Sequence, residues 1–120
     1  MKISEYYTGS HGTIYYVRNM KESVAFYTKQ LGRKPEQESD FWTEFDCKGQ
    51  KLCLHVADKA MKTLPGGVMI LNVVKMKELI PLLKKEGAQF NGEPHSVHAD
   101  DYSVDYTDPD GNIVSLYGTL

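Results

Sequence analysis

A chain of 120 residues that is 41% hydrophobic can bury one real core and hardly two. With 14 basic residues against 16 acidic ones and a formal charge of −2, it carries no lysine or arginine run of the kind a nucleic-acid or anionic-membrane surface needs. No stretch approaches the ~20 apolar residues of a membrane span, and Met1-Lys2-Ile3-Ser4-Glu5-Tyr6 lacks the apolar core of a signal peptide. The expectation is a cytoplasmic protein, with no membrane or nucleic-acid partner, that meets small molecules or a second copy of itself.

In chain order, residues 12 to 17 are mostly β-branched or aromatic and read as a strand covered on both faces. Asn19 then offers an N-cap. Met20, Val24, Tyr27 and Leu31 recur at helical spacing until Gly32, with Phe26 and Leu31 expected to pack beneath the sheet. Residues 41 to 47 and 51 to 57 read as strands joined by a hairpin at Lys48-Gly49-Gln50. Leu64-Pro65-Gly66-Gly67 closes a turn-rich linker. A strand at 68 to 73 and a helix from about 76 to 86 follow, with Met76, Leu79, Leu82 and Leu83 inward and Pro81 placed early, where a missing donor does least harm. After Gly87 comes a loop containing His95 and His98, then two strands around Asp108-Pro109-Asp110-Gly111-Asn112, read as a turn and not as a calcium loop.

Val17-Arg18-Asn19-Met20-Lys21-Glu22 returns as Val73-Val74-Lys75-Met76-Lys77-Glu78, in each case between a β-rich stretch and a helical one. Two copies of one supersecondary unit should pair into one closed domain and not stack into an array. The reading is a single domain over residues 1–120, with module one at about 10–58, a linker at about 59–67 and module two at 68–120.

The opening Tyr15-Tyr16-Val17-Arg18-Asn19-Met20-Lys21-Glu22-Ser23-Val24-Ala25-Phe26-Tyr27 with Leu31-Gly32, and the closing Tyr106-Thr107-Asp108-Pro109-Asp110-Gly111-Asn112, resemble the vicinal oxygen chelate superfamily. It contains glyoxalase I, bleomycin-resistance proteins, fosfomycin-resistance thiol transferases and extradiol dioxygenases. The resemblance implies an α+β fold: two tandem βαβββ modules forming a cupped, partly open β-barrel with helices outside, usually completed by a homodimer.

It also implies where metal ligands would stand. The opening-strand positions fall on Gly12 and its repeat mate Val68, the closing-strand glutamate position on Ser115, and its counterpart in module one on Cys53. Glycine and valine cannot ligate through a side chain, and serine is a poor ligand for a divalent ion. The chain therefore resembles a member without the usual metal site. His11 is one residue from a ligand position, and a one-residue displacement turns a strand side chain to the other face unless a bulge intervenes.

On a fold with several chemistries, function has to be argued from the site. The expected ligand-facing residues are Tyr16, Trp42, Cys53, His55, Asn72, Tyr102, Ser115 and Tyr117, together with Ile14, Val68 and Ile70. Phe41 and Phe45 are alternatives to Trp42, and core or dimer interface is the other reading of these aromatics. His55, two residues beyond Cys53 and so on the same face, is the candidate general base, with a histidine lining a wet cavity as the alternative. Cys53 reads as a small buried thiol rather than a nucleophile.

Two functions stay open. One is a protein of bleomycin-resistance type that binds a small aromatic or amphipathic compound in a cleft with no cofactor, Asp40, Glu44 and Asp46 favouring a cation. The other is a glyoxalase-like lyase, isomerase or thiol transferase using Ni, Zn, Mn or Fe on a displaced set, His11 with His55.

Overall fold

The computed structural model describes residues 1–107, 111 and 113–120; the expected turn at 108–112 lies, apart from Gly111, outside the described residues. A 3-10 turn (Ile3–Tyr6) leads into β1 (Tyr7–Val17), α1 (Met20–Leu31), β2 (Gln37–Glu38), β3 (Trp42–Cys47) and β4 (Gln50–Val56). Then come β5 (Val68–Val73), α2 (Met76–Lys85), β6 (Gln89–Phe90), β7 (His95–His98), β8 (Asp101–Thr107) and β9 (Ile113–Gly118). This is an α+β fold of two βαβββ-like modules, and both copies of the repeated tract sit where a strand hands over to a helix.

The chain forms two compact units, Gly12–Val68 and Met1–His11 with Met69–Leu120. The second unit thus takes in the beginning of β1, which module boundaries drawn from the repeat did not include.

In the Gly12–Val68 unit the strand order is β2, β3, β4, β1, with β1 parallel to β4 and the other pairs antiparallel. Lys48 and Gly49, at φ 60° and 101°, make the two-residue turn between β3 and β4, the positive-φ geometry that a tight hairpin favours. Asn19 caps α1 by accepting the Glu22 N–H at 3.1 Å, and Gly32 ends it in the left-handed conformation. Met20 and Val24 pack on Val17, Phe45 and Leu54.

This packing decides one alternative, that for Phe45, and corrects one expectation, that for Phe26 and Leu31. Phe45 belongs to the core under α1, because alternation puts it opposite Trp42 on the β3 pleat. Phe26 and Leu31 are 55% and 36% exposed. Phe26 lies off the Met20-Val24-Tyr27 stripe at 3.6 residues per turn, and Leu31 occupies the final turn.

In the other unit the order is β1, β5, β9, β8, β6, with β7 also on β8; β5 and β9 are parallel. Met76, Leu79 and Leu83 of α2 pack with Tyr6, Val73, Val104 and Leu116. Pro81 falls in the middle of α2, not its first turn, so the Lys77 carbonyl has no helical donor at that position. His95 and His98 belong to β7 rather than a loop, and both are exposed. Among the described residues no helix is long and apolar enough to cross a membrane.

Candidate functional site

On the Gly12–Val68 unit, the sheet face turned away from α1 is laid out in three rungs by strand register. Trp42 pairs with His55 and His55 with Tyr16; Glu44 pairs with Cys53 and Cys53 with Ile14; Asp46 pairs with Lys51 and Lys51 with Gly12. Partners in register project to one side, so the face carries an aromatic rung, a buried rung of Glu44, Cys53 and Ile14, and a charged rung. Tyr16, Trp42, Cys53 and His55 thereby share one face, as period two implies for Cys53 with His55.

In the first rung the His55 ring lies 5.2 Å from Tyr16 and 5.6 Å from Trp42, edge-on to the indole. His55 Nδ1 is 2.7 Å from the Val56 carbonyl, which can only accept. The proton therefore sits on Nδ1, and Nε2 is the basic nitrogen. Trp42 and Tyr16 are buried and His55 is half-buried.

In the second rung Glu44 is 2% exposed and accepts the Trp42 Nε1–H at 2.8 Å. A buried carboxylate is costly unless hydrogen-bonded, and the indole supplies such a bond. The acidic trio expected to attract a cation is dispersed: Asp40 is exposed, and Asp46 caps the hairpin by accepting Gly49 N–H at 2.9 Å. Cys53 is fully buried. Burial first, and then the Glu44 charge, pushes its thiol well above the usual range against the opposing pull of Lys51. A protonated thiol is a poor nucleophile.

The third rung explains a missing ligand. A Cβ on Gly12 would lie 2.1 Å from the Lys51 carbonyl oxygen, and Gly12 sits at φ +156°. The opening-strand position where the resemblance implies a metal ligand has no room for a side chain.

On the unit of Met1–His11 with Met69–Leu120, Asn72 pairs with Tyr117, and Ile70 with Ser115. His11 joins them: its Nδ1 is 3.0 Å from Asn72 Oδ1 and its ring stacks on Tyr117, with centroids 4.0 Å apart. Tyr117 OH donates to Asp101 at 3.3 Å. The outward-facing His11 expected from strict alternation is thus corrected. Tyr7 packs into the α2 core while His11, of the same parity, lies with Asn72 and Tyr117. Gly9, at φ 139°, stands between them and supplies the backbone setting a break in alternation requires.

Ser115 shares this face but is fully buried, its Oγ 3.5 Å from the buried Ser103 Oγ. Together, the lack of room at Gly12, apolar Val68 and a serine occupied by another serine do not fit the metal set the resemblance implies. Tyr102 is corrected outright: it packs with Val104 and Leu116 against α2, on the opposite face from Ser103 and Tyr117. Sequence reasoning missed Glu44 as the Trp42 partner; the available signal was their two-residue spacing, which shares one face.

The sequence profile of the Glyoxalase/Bleomycin resistance protein/Dioxygenase superfamily matches residues 9–116. A solved structure described as NAD-dependent benzaldehyde dehydrogenase from Legionella pneumophila is 21% identical, with a TM-score of 0.64 over 90% of this chain and 97% of its own. Methylmalonyl-CoA epimerase from Mycobacterium tuberculosis is 16% identical, with a TM-score of 0.65 over 95% and 89%. Mn(II)-bound glyoxalase from Novosphingobium aromaticivorans is 19% identical, with a TM-score of 0.58 over 94% of this chain and 39% of its own. At these identities the likeness shows the fold alone. No curated protein sequence matches the chain.

Proposed function

The chain belongs to the Glyoxalase/Bleomycin resistance protein/Dioxygenase superfamily, and from that premise we propose that it is a small-molecule-binding member of bleomycin-resistance type that works without the usual metal. The observation that carries this reading is the rung of Tyr16, Trp42 and His55 above the buried Glu44. Aromatic groups stack on planar ligands, and a few fixed polar groups orient them. His55 is the accessible member of the rung, so ligand contact runs through its imidazole, with Trp42 and Tyr16 holding the ring from behind. Self-association into a homodimer is part of the same proposal and is measured by sedimentation.

Trp42 is the chain's single tryptophan, so its fluorescence reports the rung directly. Titration with bleomycin and with simple aromatic amines should give a saturating fluorescence change that His55→Ala weakens on the order of tenfold. Saturation unaffected by His55→Ala would remove the rung from the site.

A second reading, a metal-dependent glyoxalase-like enzyme, is favoured by one observation: His11 stands with Asn72 and Tyr117 and not on the outer face. When Asn72 Oδ1 accepts from Nδ1, Nε2 is the nitrogen with the lone pair. Titration of untagged protein with Ni, Zn, Mn or Fe(II) separates the readings. Stabilisation that grows with ion concentration, as linkage requires, and that His11→Ala abolishes would support the enzyme; indifference to every ion would leave the binding protein.

A further inference from the structure

A cleft of about 390 Å³ runs along the outer side of α2, within the range of small-molecule sites. Its α2 wall is Lys77, Ile80, Pro81 and Lys84, the i, i+3, i+4, i+7 spacing of one helix face. Met76, Leu79 and Leu83 fill the core on the neighbouring stripe, and Ile80 and Leu120 border both core and cleft. Pro94 and Leu120 complete an apolar lining, and Glu93 adds a carboxylate. The cleft shares no residue with the proposed aromatic rung.

The chemistry of the lining selects its occupant. Ile80, Pro81, Pro94 and Leu120 present carbon to the ligand, while the two ammonium groups stand one helical turn to either side of the Ile80-Pro81 pair. Lys84 Nζ lies 5.9 Å from the Phe90 ring centroid, within the range in which the ring attracts a cation. Lys77 and Lys84 are the cationic side chains of the lining and Glu93 is its acidic one. The helix N-terminus plays no part, because the Met76 and Lys77 N–H groups already donate to the Thr119 and Leu120 carbonyls.

We propose that this cleft is a second ligand site, for a small amphipathic monoanion: a carboxylate on an apolar chain or ring. The carboxylate pairs with Lys77 or Lys84, and the apolar body lies over Ile80, Pro81, Pro94 and Leu120. Neutral and cationic analogues of the same size lose the ion pair and meet two ammonium groups instead.

Octanoate, octanol and octylamine are the probes, with ¹⁵N amide shifts as the readout. Octanoate should give saturable shifts at Lys77, Ile80, Lys84 and Leu120 that octanol and octylamine do not. The Lys77→Gln/Lys84→Gln double variant should keep its Tm, since exposed lysines carry little stability, and should lose on the order of tenfold in octanoate affinity. Glu93→Gln removes the repelling carboxylate and should tighten binding. Equal shifts from octanol, shifts confined to residues outside the cleft, or undiminished binding by the double variant would each overturn the proposal.

Discussion

At the start of α1 the Asn19 side chain accepts the Glu22 N–H at 3.1 Å. At the matching point of α2, Lys75 sits at φ 52° with no side-chain cap, and the Met76 and Lys77 N–H groups go to the Thr119 and Leu120 carbonyls, 43 residues further along, at 2.9 and 3.0 Å. The repeat kept the apolar and charged pattern and changed the source of the cap. One helix start is satisfied by its own sequence and the other by a distant segment. The cores differ in the same sense: α2 seats Met76 and Leu79, both fully buried, whereas α1 leaves Phe26 more than half exposed.

The largest expected effect tests the unequal seating. Leu79→Ala should cost about 2–5 kcal/mol in urea unfolding, while Phe26→Ala should stay within about 0.5 kcal/mol. Similar losses for the two would erase the contrast between the helices. Next, Trp42→Phe keeps an aromatic ring but takes the indole N–H from the buried Glu44 carboxylate. A hydrogen bond to a charged group is worth about 1.5–3 kcal/mol, and adding Glu44→Gln should recover part of its loss. Equal stability of Trp42→Phe and the parent, followed by circular dichroism, would show that the bond contributes nothing.

Alkaline pH separates the units by their buried acids. The Cys53 thiol in one unit is raised above its usual 9.0, and the Tyr7 phenol in the other is raised from 10.0 to about 12 by burial and by the neighbouring Tyr106. In both cases the folded chain holds a proton that the unfolded chain has released. Stability is thus fully present below the unfolded value and falls as pH rises above it; for the buried Cys53 the fall begins at about pH 9 and runs at up to about 1.4 kcal/mol per unit. Cys53→Ala should flatten the loss between pH 9 and 10, and an unchanged slope would remove Cys53 as its source.

The smallest effects concern the caps themselves. Asn19→Ala should cost about 1 kcal/mol. Lys75→Gly should stabilise by up to about 1 kcal/mol, because glycine adopts the left-handed conformation without the Cβ clash a lysine meets. A loss from Lys75→Gly would mean that its side chain, and not the strain of its backbone, decides that turn.

For the candidate site, the period-two spacing of Cys53 with His55 is legible in the sequence, and the register adds Trp42 and Tyr16 to the rung of His55. Tyr102 was misplaced because nothing local states which parity of β8 faces α2; its pairing with Gly118 on β9 decides that. His11 was turned the wrong way because alternation is a rule for regular strands, and β1 contains Gly9 at φ 139°. Glu44 was read with Asp40 and Asp46 as attracting a cation, whereas it is buried and accepts the Trp42 indole N–H.

By itself the sequence determined the modules, the helix spans, the Asn19 and Gly32 caps and the hairpin at Lys48-Gly49. These rest on contacts between residues a few positions apart, so periodicity and turn chemistry report them. Tertiary structure alone decided the Thr119 and Leu120 caps, the close approach of Lys51 that leaves no room at Gly12 and the burial of Glu44. Each depends on which distant strand lies alongside, and the free energy of that pairing belongs to both partners at once.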